Sequence, residues 1–184
     1  MQIQKSGLVT LLIMVVVIAA ASSYFFLRNK SALQKRNNTS AAQALLIDKT
    51  EKSFTDLDGK TVSVDNHFGK VMVVMSWASW CPACTTDLEE LGKVAQDYTK
   101  RGVVVMAVNR AEDKYAAERY LATFTVPPEL TMVLDPDDHY FKNSDGYAMP
   151  ETVIFNPNGS MALHEHGELQ PEEVRKTLDE LLKK

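Results

Sequence analysis

Cys81 and Cys84 are the only cysteines of this 184-residue chain, and two residues separate them. Side chains of this type at this spacing can hold a metal ion, form a structural disulfide or exchange electrons with another disulfide. A structural bridge across so short a loop adds little stability, because the stabilisation grows with the length of the closed loop. A tetrahedral zinc site needs about four ligands, and His164 and His166 could supply only two, provided that they lie beside the cysteines. The spacing therefore favours a redox pair.

The residues around the pair suit nucleophilic thiol chemistry. Pro82 fits the first position of a helix, so Cys81 should lie just before that helix. Unpaired N–H groups and the positive end of the helix dipole stabilise a thiolate there. The thiolate of Cys81 would then attack a substrate disulfide, and Cys84, one turn along, would resolve the mixed disulfide. Trp77 and Trp80 either pack in the ordinary way or shield the nucleophile and offer a flat surface to a partner chain.

Strands and helices alternate along the chain on both sides of this pair. Two short runs of alternating apolar and polar residues, one on each side of Asp58-Gly59, predict a β-hairpin. Unbroken apolar runs predict buried strands, and apolar residues at helical spacing predict helices. The predicted strands are 71–75, 103–108, 131–135, 151–155 and 160–166, and the predicted helices run from Pro82 to Gly102, over 112–124 and onward from Pro171. This order predicts an α/β fold, a central mixed sheet flanked by helices, with an N-terminal β-hairpin.

The segment WASWCPAC, residues 77–84, resembles the Trp-x-x-Trp-Cys-x-x-Cys signature of thioredoxin-fold oxidoreductases. The hairpin before the core strand is similar to that of the membrane-anchored TlpA/DsbE branch, and the resemblance covers roughly residues 54–182. It implies a thioredoxin-like fold and an extracytoplasmic thiol reductant that commonly serves cytochrome c maturation. The implied substrates are protein disulfides such as apocytochrome c, and a membrane electron-donor thiol protein is implied as partner. No cofactor beyond the Cys81–Cys84 disulfide, and no metal, is implied.

A second segment, AMPETVIF, is similar to the cis-proline loop of the same family. The resemblance makes Pro150 the cis residue and Met149 the residue whose backbone pairs with a bound peptide. It also implies that Asp87 and Glu151 are acids close to the redox pair, where a carboxylate can exchange a proton as Cys84 attacks. An acid in the first turn of a helix, such as Asp87, is also ordinary dipole chemistry. The predicted site comprises the catalytic residues Cys81, Cys84, Asp87, Pro150 and Glu151 and the substrate-binding residues Trp80, Pro82 and Met149.

Other functions share part of this pattern. A peroxiredoxin-like peroxidase needs a threonine three residues before its cysteine, where this chain has Ala78. A copper chaperone of the same fold would use Cys81 and Cys84 as thiolate ligands. A disulfide oxidase or isomerase differs from a reductase in its reduction potential, which the residues alone do not reveal. Met75 stands where thioredoxin has a buried aspartate, so Asp87 or Glu151 would have to move the proton.

The first fifty residues differ in composition from the rest. Residues 8–27 carry no charge, and about 20 apolar residues span the hydrocarbon core of a bilayer. This favours a membrane anchor over a cleaved signal peptide, although Ala19, Ala20 and Ala21 would suit a peptidase. The predicted organisation is a tail at 1–7, a transmembrane helix at 8–27, a linker at 28–50 and a thioredoxin-like domain at 51–184.

The expected location is the cell membrane, with a monomeric domain on the extracytoplasmic side. Positive charges conflict with this orientation, because Arg28, Lys30, Lys35 and Arg36 follow the apolar run and positive residues favour the cytoplasmic side. The family resemblance outweighs them in our interpretation. A net charge of −4 gives no basic surface for nucleic acid.

Overall fold

The structure, a computed structural model, describes residues 53–123 and 125–183. Within them the chain forms one mixed β-sheet with helices on both faces. The strands are β1 (Ser53–Asp56), β2 (Thr61–Ser63), β3 (Met72–Trp77), β4 (Val104–Arg110), β5 (Thr131–Asp135), β6 (Glu151–Phe155) and β7 (Met161–His166). The helices are α1 (Cys84–Tyr98), α2 (Lys114–Leu121), α3 (His139–Asn143) and α4 (Pro171–Leu181).

The sheet has the strand order β2-β1-β5-β4-β3-β6-β7. Strands β3, β4 and β5 are parallel, as expected for buried strands joined by helices. β1 is antiparallel to β5, and β6 and β7 continue the sheet antiparallel to β3 on the other side. β3 therefore lies inside the sheet, between β4 and β6, and all six of its residues are buried. The predicted mixed sheet and N-terminal hairpin are confirmed.

Alternate residues of the central strands point to opposite faces of the sheet. On the first face Val73, Met75 and Trp77 of β3 pack with both cysteines and with buried residues of α1, α2 and α4. On the second face Val74 of β3 packs with residues of β1, β4, β6 and α3. The side chains of the redox pair thus belong to the first face.

Local signals account for most of the helix boundaries. α1 buries residues at helical spacing, and a left-handed Gly102 (φ 88°) ends the short 3-10 turn that follows it. The Asp113 side chain accepts a hydrogen bond from the Ala116 N–H, so α2 begins at Lys114 rather than at 112 as predicted. Pro171 opens α4 as predicted.

One helix was not predicted from the sequence. α3 has only five residues, fewer than two helical turns, so it leaves too little periodicity to detect. Its start is fixed by Asp135, whose carboxylate accepts the backbone N–H groups of His139 and Tyr140 at 3.1 and 2.8 Å.

The predicted tail, transmembrane helix and linker, at 1–7, 8–27 and 28–50, lie outside the described residues, as do the first two residues of the predicted domain. Among residues 53–123 and 125–183, none of the helices combines the length and the apolar character needed to cross a membrane.

Candidate active site

The two cysteines form a disulfide at the start of α1, with an S–S distance of 2.04 Å and a Cα–Cα distance of 5.4 Å. They differ in accessibility, because Cys81 keeps 3% of its surface exposed and Cys84 keeps none. A partner sulfur can therefore approach Cys81 first. Trp80, directly before it, is 58% exposed and presents its indole ring to solvent.

The structure corrects the position predicted for Pro82. α1 begins at Cys84 rather than at Pro82, and the Cys84 N–H donates to the Cys81 carbonyl at 3.2 Å. This bond spans three residues and belongs to a tight turn that precedes the helix. Cys81 therefore lies in the turn that leads into α1. It remains near the helix N-terminus, where orphan N–H groups favour an anion.

The turn is anchored to the neighbouring part of the sheet by Glu112. Its carboxylate accepts the backbone N–H of Ser79 at 2.7 Å and the Ser79 hydroxyl at 2.5 Å. It also accepts the side-chain amide of Asn109, a fully buried residue of β4, at 2.7 Å. Glu112 thus ties the loop that carries the cysteines to the end of β4.

Asp87 lies on the same face as the cysteines and is 5% exposed. It is three residues after Cys84, a spacing that places two side chains on one side of a helix. Its Oδ2 accepts the backbone N–H of Leu169 at 2.8 Å. Burial raises the pKa of Asp87, the bond from Leu169 opposes this, and the charges of Glu168 and Glu90 raise it further.

A second acid that the sequence analysis did not single out lies close to Asp87. Glu165 of β7 pairs in register with Thr152, so it points to the first face. Burial raises the pKa of Glu165, the bond that Gln170 donates to it opposes this, and the negative charges of Glu173 and Asp87 add to the increase. The sequence does contain a signal for the position of Glu165. Successive side chains of a strand point to opposite faces, so two histidines at 164 and 166 on one face place Glu165 on the other.

The structure separates Glu151 from the cysteines. Glu151 is fully buried and has the same orientation in β6 as Val153, which packs on the second face of the sheet. Its carboxylate contacts Ser144, His164 and His166. A direct proton transfer between Glu151 and Cys84 therefore has no support in this geometry, whereas Asp87 is on the cysteine side. The same arrangement rules out a zinc site shared by the cysteines and the two histidines.

Pro150 and Met149 lie where the family resemblance implied. The Met149–Pro150 peptide bond is cis, and β6 begins at the next residue. Ser76 of β3 pairs with Glu151, so Pro150 adjoins the end of β3 that leads to Cys81. Met149 packs against the cluster that contains both cysteines.

Comparison with known sequences identifies the family. The sequence pattern described as redoxin matches residues 27–182, most of the chain. The chain belongs to the redoxin family. This redoxin is a thioredoxin-like thiol:disulfide oxidoreductase of the TlpA/DsbE type, and the corresponding prediction is confirmed.

Individual relatives show how far the similarity extends. The thiol-disulfide oxidoreductase ResA of Geobacillus kaustophilus is 24% identical over 140 residues, 75% of this chain and 79% of its own. The thiol:disulfide interchange protein DsbE of Pseudomonas fluorescens biotype C is 33% identical over 100 residues, 54% of this chain and 53% of its own. Among solved structures, a DsbE-type interchange protein from Chlorobium tepidum is 26% identical and superposes with a TM-score of 0.64, covering 71% of this redoxin and 92% of that protein.

Proposed function

We propose that this redoxin is a membrane-anchored, extracytoplasmic thiol:disulfide oxidoreductase that reduces protein disulfides through its Cys81-Pro82-Ala83-Cys84 pair. The observation that carries the proposal is the disulfide at the start of α1, with only Cys81 accessible and an exposed tryptophan beside it. Its similarity to ResA and DsbE proteins supports the reaction class. The proposed substrates are protein disulfides such as that of apocytochrome c, which places the protein in cytochrome c maturation.

The reaction needs two exchange steps from the dithiol form. The Cys81 thiolate attacks one sulfur of the substrate disulfide, forming a mixed disulfide and releasing the other substrate sulfur as a thiolate. Cys84 then loses its proton and attacks the Cys81 sulfur, which closes the Cys81–Cys84 disulfide and releases the second substrate thiolate. The substrate gains two electrons, and the redoxin loses two.

Asp87 is the group best placed to accept the proton of Cys84. It lies one helical turn away on the same face, and its pKa is raised by burial, which brings it closer to that of a thiol. Glu165, coupled to Asp87 by charge, could share the proton. Met75, fully buried among the cysteines on this face, offers no titratable group.

The binding surface for the substrate combines Trp80 with the Met149–Pro150 segment. An extended peptide would stack on the exposed indole ring and pair with the Met149 backbone beside the disulfide. Pro82, exposed between the cysteines, borders the same surface. A membrane thiol protein that supplies two electrons would regenerate the Cys81–Cys84 dithiol, and residues 8–27 would hold the domain at the bilayer.

The test uses the Cys84→Ser variant of the full chain in the cell that makes it. Without Cys84 the mixed disulfide cannot be resolved, so we expect substrates to remain attached to Cys81. Affinity purification under non-reducing conditions, followed by mass spectrometry, should identify exported proteins that carry Cys-x-x-Cys-His haem sites. The Cys81→Ser variant is the matched control and should trap none of them.

Two results would contradict the proposal. Exclusively cytoplasmic partners on Cys81 would reverse the proposed orientation. Equal disulfide reduction by the purified wild-type and Cys81→Ser proteins would exclude Cys81 as the nucleophile.

A further inference from the structure

Three potential metal ligands lie together on the second face of the sheet, away from the disulfide. Glu151 of β6 and His164 and His166 of β7 each place one ligand atom within 4.8 Å of the other two. Oε1 of Glu151 is 3.2 Å from Nε2 of His164, and Oε2 is 3.1 Å from Nδ1 of His166. The strands supply this arrangement directly, because Glu151 pairs with His166 in register and His164 is two residues away on the same face.

The burial of Glu151 requires a compensating positive charge. Its carboxylate is fully buried, and an isolated buried charge is costly. Within the described residues, the basic side chains that contact it are the two imidazoles. Their ring centroids are only 4.0 Å apart, so the carboxylate and both imidazoles lie within reach of one ion. A single dication would satisfy the carboxylate and both imidazoles at once.

His164 gives a second reason to expect a ligand. Its Nε2 is buried and, within the described residues, makes no hydrogen bond although it is close to the Glu151 carboxylate. A buried imidazole nitrogen without a hydrogen bond is unusual, whereas a nitrogen of this kind is a common metal ligand.

The donor set suits a zinc-like ion. Two imidazole nitrogens and a carboxylate oxygen are common ligands of Zn²⁺, with bonds of about 2.0–2.2 Å, and a fourth position can hold water. Tetrahedral bonds of this length separate the ligand atoms by roughly 3.3 Å. Each imidazole lies at close to that distance from one oxygen of Glu151, His164 at 3.2 Å from Oε1 and His166 at 3.1 Å from Oε2, and small side-chain rotations would bring the three ligand atoms, now within 4.8 Å of one another, around one ion.

The surroundings orient the ligands. The Ser144 hydroxyl donates to Oε1 of Glu151 at 3.1 Å, and the Tyr147 ring stacks on His166 with a centroid distance of 4.0 Å. Outer contacts of this kind fix the ligand geometry in metal sites. The His166 side chain keeps 23% of its surface exposed, so an ion could enter from solvent on that side.

We propose that Glu151, His164 and His166 form a binding site for one Zn²⁺ ion that joins β6 to the edge strand β7. The site is independent of the thiol chemistry, since its ligands lie on the opposite face of the sheet from Cys81 and Cys84. Bound zinc would hold β7 against β6 directly after Pro150, whose carbonyl already accepts the Gly167 N–H at 2.8 Å.

The experiment titrates the oxidised, chelator-treated full-length protein with ZnCl₂ by isothermal titration calorimetry. We expect roughly one Zn²⁺ per chain, and a rise in Tm of the zinc-loaded protein because the ion binds the folded state. His166→Asn and Glu151→Gln should each weaken zinc binding at least ~10-fold and abolish the rise in Tm. His166→Asn is the primary variant, because its side chain is at the surface and its loss should leave the fold intact.

Two controls separate this site from other zinc ligands. The His139→Asn variant removes a histidine outside the cluster and should bind zinc like the wild type. The Cys81→Ser/Cys84→Ser protein should also bind normally, and its X-ray absorption spectrum should show nitrogen and oxygen ligands at about 2.0–2.2 Å without sulfur at about 2.3 Å.

Three outcomes would overturn the proposal. The first is the lack of zinc binding by the oxidised wild-type protein, and the second is unchanged binding in both His166→Asn and Glu151→Gln. The third is binding that disappears with the two cysteines. None of these outcomes bears on disulfide exchange, which is measured separately with Cys81→Ser.

Discussion

At the scale of single residues, the three buried or half-buried acids discussed above lie on different faces of the sheet. Asp87 and Glu165 are carboxylates on the cysteine face, and burial is the main cause that raises the pKa of each. Glu151 directs its carboxyl group to the opposite face, where two histidines contact it. The acid that follows the cis-proline and the acid that follows Cys84 therefore have different surroundings, although both were expected near the thiols.

Replacing Asp87 with Asn should change how stability depends on pH. Because burial raises the pKa of Asp87 in the folded state above its usual 3.8, the folded protein favours the protonated acid, and this stabilisation is lost as the pH rises through the raised pKa. Asn cannot ionise and can still accept the Leu169 N–H. The unfolding free energy of Asp87→Asn minus that of the wild type should therefore become more positive from pH 4 upward.

Urea denaturation between pH 4 and 8 measures this difference. Glu89→Gln, an exposed change in the same helix, is the control and should stay within about 0.5 kcal/mol of the wild type at every pH. The same Asp87→Asn protein should resolve the mixed disulfide more slowly in stopped-flow exchange. A difference that declines with pH would refute the account of Asp87.

At the scale of elements, the loop between β3 and α1 is held in place by Glu112, a residue of the loop that connects β4 to α2. Glu112 accepts hydrogen bonds from the backbone and hydroxyl of Ser79 and from the amide of Asn109. The sequence gives no sign of this anchor, because Ser79 and Glu112 are 33 residues apart and their contact arises only when β3 and β4 pair.

The Glu112→Ala variant should loosen the redox loop. Removing the acceptor leaves three donors of part-buried hydrogen bonds without their partner, and one of them belongs to the fully buried Asn109, where an unsatisfied donor costs about 1–3 kcal/mol. We expect a loss of unfolding free energy of that size, together with faster amide hydrogen exchange at Ser79. Glu118→Ala, which removes an exposed carboxylate from α2, should cost less than about 0.5 kcal/mol. Equal effects of the two changes would exclude the anchoring role.

The packing of α1 also depends on Gly92, a buried helix position that has no side chain. A Cβ added to Gly92 would lie 2.9 Å from Cγ of Pro127 and 3.1 Å from its Cδ. Ala is favoured over Gly in a helix by about 1 kcal/mol, whereas overpacking costs about 1–3 kcal/mol. The loop around Pro127 leads into β5, so displacing it would disturb the sheet.

We therefore expect Gly92→Ala to destabilise the protein by roughly 1 kcal/mol despite its better helix propensity. Thermal and urea denaturation would measure the change. Lys93→Ala, at the exposed neighbouring position, should change stability by less than about 0.5 kcal/mol. If Gly92→Ala stabilised the protein instead, the loop around Pro127 would have to move aside without a cost in free energy, which would contradict this prediction.

The accuracy of the sequence predictions differed between elements for physical reasons. The Asp58-Gly59 turn and the apolar runs of β3, β4 and β5 are local signals, and the predicted strands agree with the structure within two residues. α3 was missed because it has only five residues and because Asp135, whose carboxylate accepts its first N–H groups, lies at the end of a strand. Within the site, the cysteines and Pro150 follow motifs. The Asp87–Leu169 bond joins residues 82 apart and arises only from the tertiary fold.

At the scale of the whole molecule, carboxylates concentrate around Asp87 and Glu165. The charges of Glu168 and Glu90 contribute to the raised pKa of Asp87, and those of Glu173 and Asp87 contribute to that of Glu165. These interactions place five acidic side chains near one another, in a protein whose net charge is −4. A surface of this kind attracts positively charged partners at a distance.

Reduction of a cationic disulfide peptide should therefore slow as salt increases. Raising the ionic strength from 0.02 to 0.5 M shortens the screening length and should lower the second-order rate constant roughly 10-fold. A neutral peptide of the same length should show little change, and Glu168→Gln should weaken the salt dependence for the cationic peptide. Stopped-flow exchange with both peptides provides the measurement, and identical salt dependence would exclude electrostatic attraction.

The register in which β6 pairs with β3 decides which side chains each face of the sheet receives. Ser76 pairs with Glu151 and Met75 with Thr152, and successive side chains alternate between the faces. Displacing β6 by a single position would turn the Glu151 carboxylate to the face that carries the cysteines and Thr152 to the face that carries the histidines. The register of β6 against β3 therefore determines which chemistry each side of the sheet receives, and the apolar residues Val153, Ile154 and Phe155, all buried, hold that register.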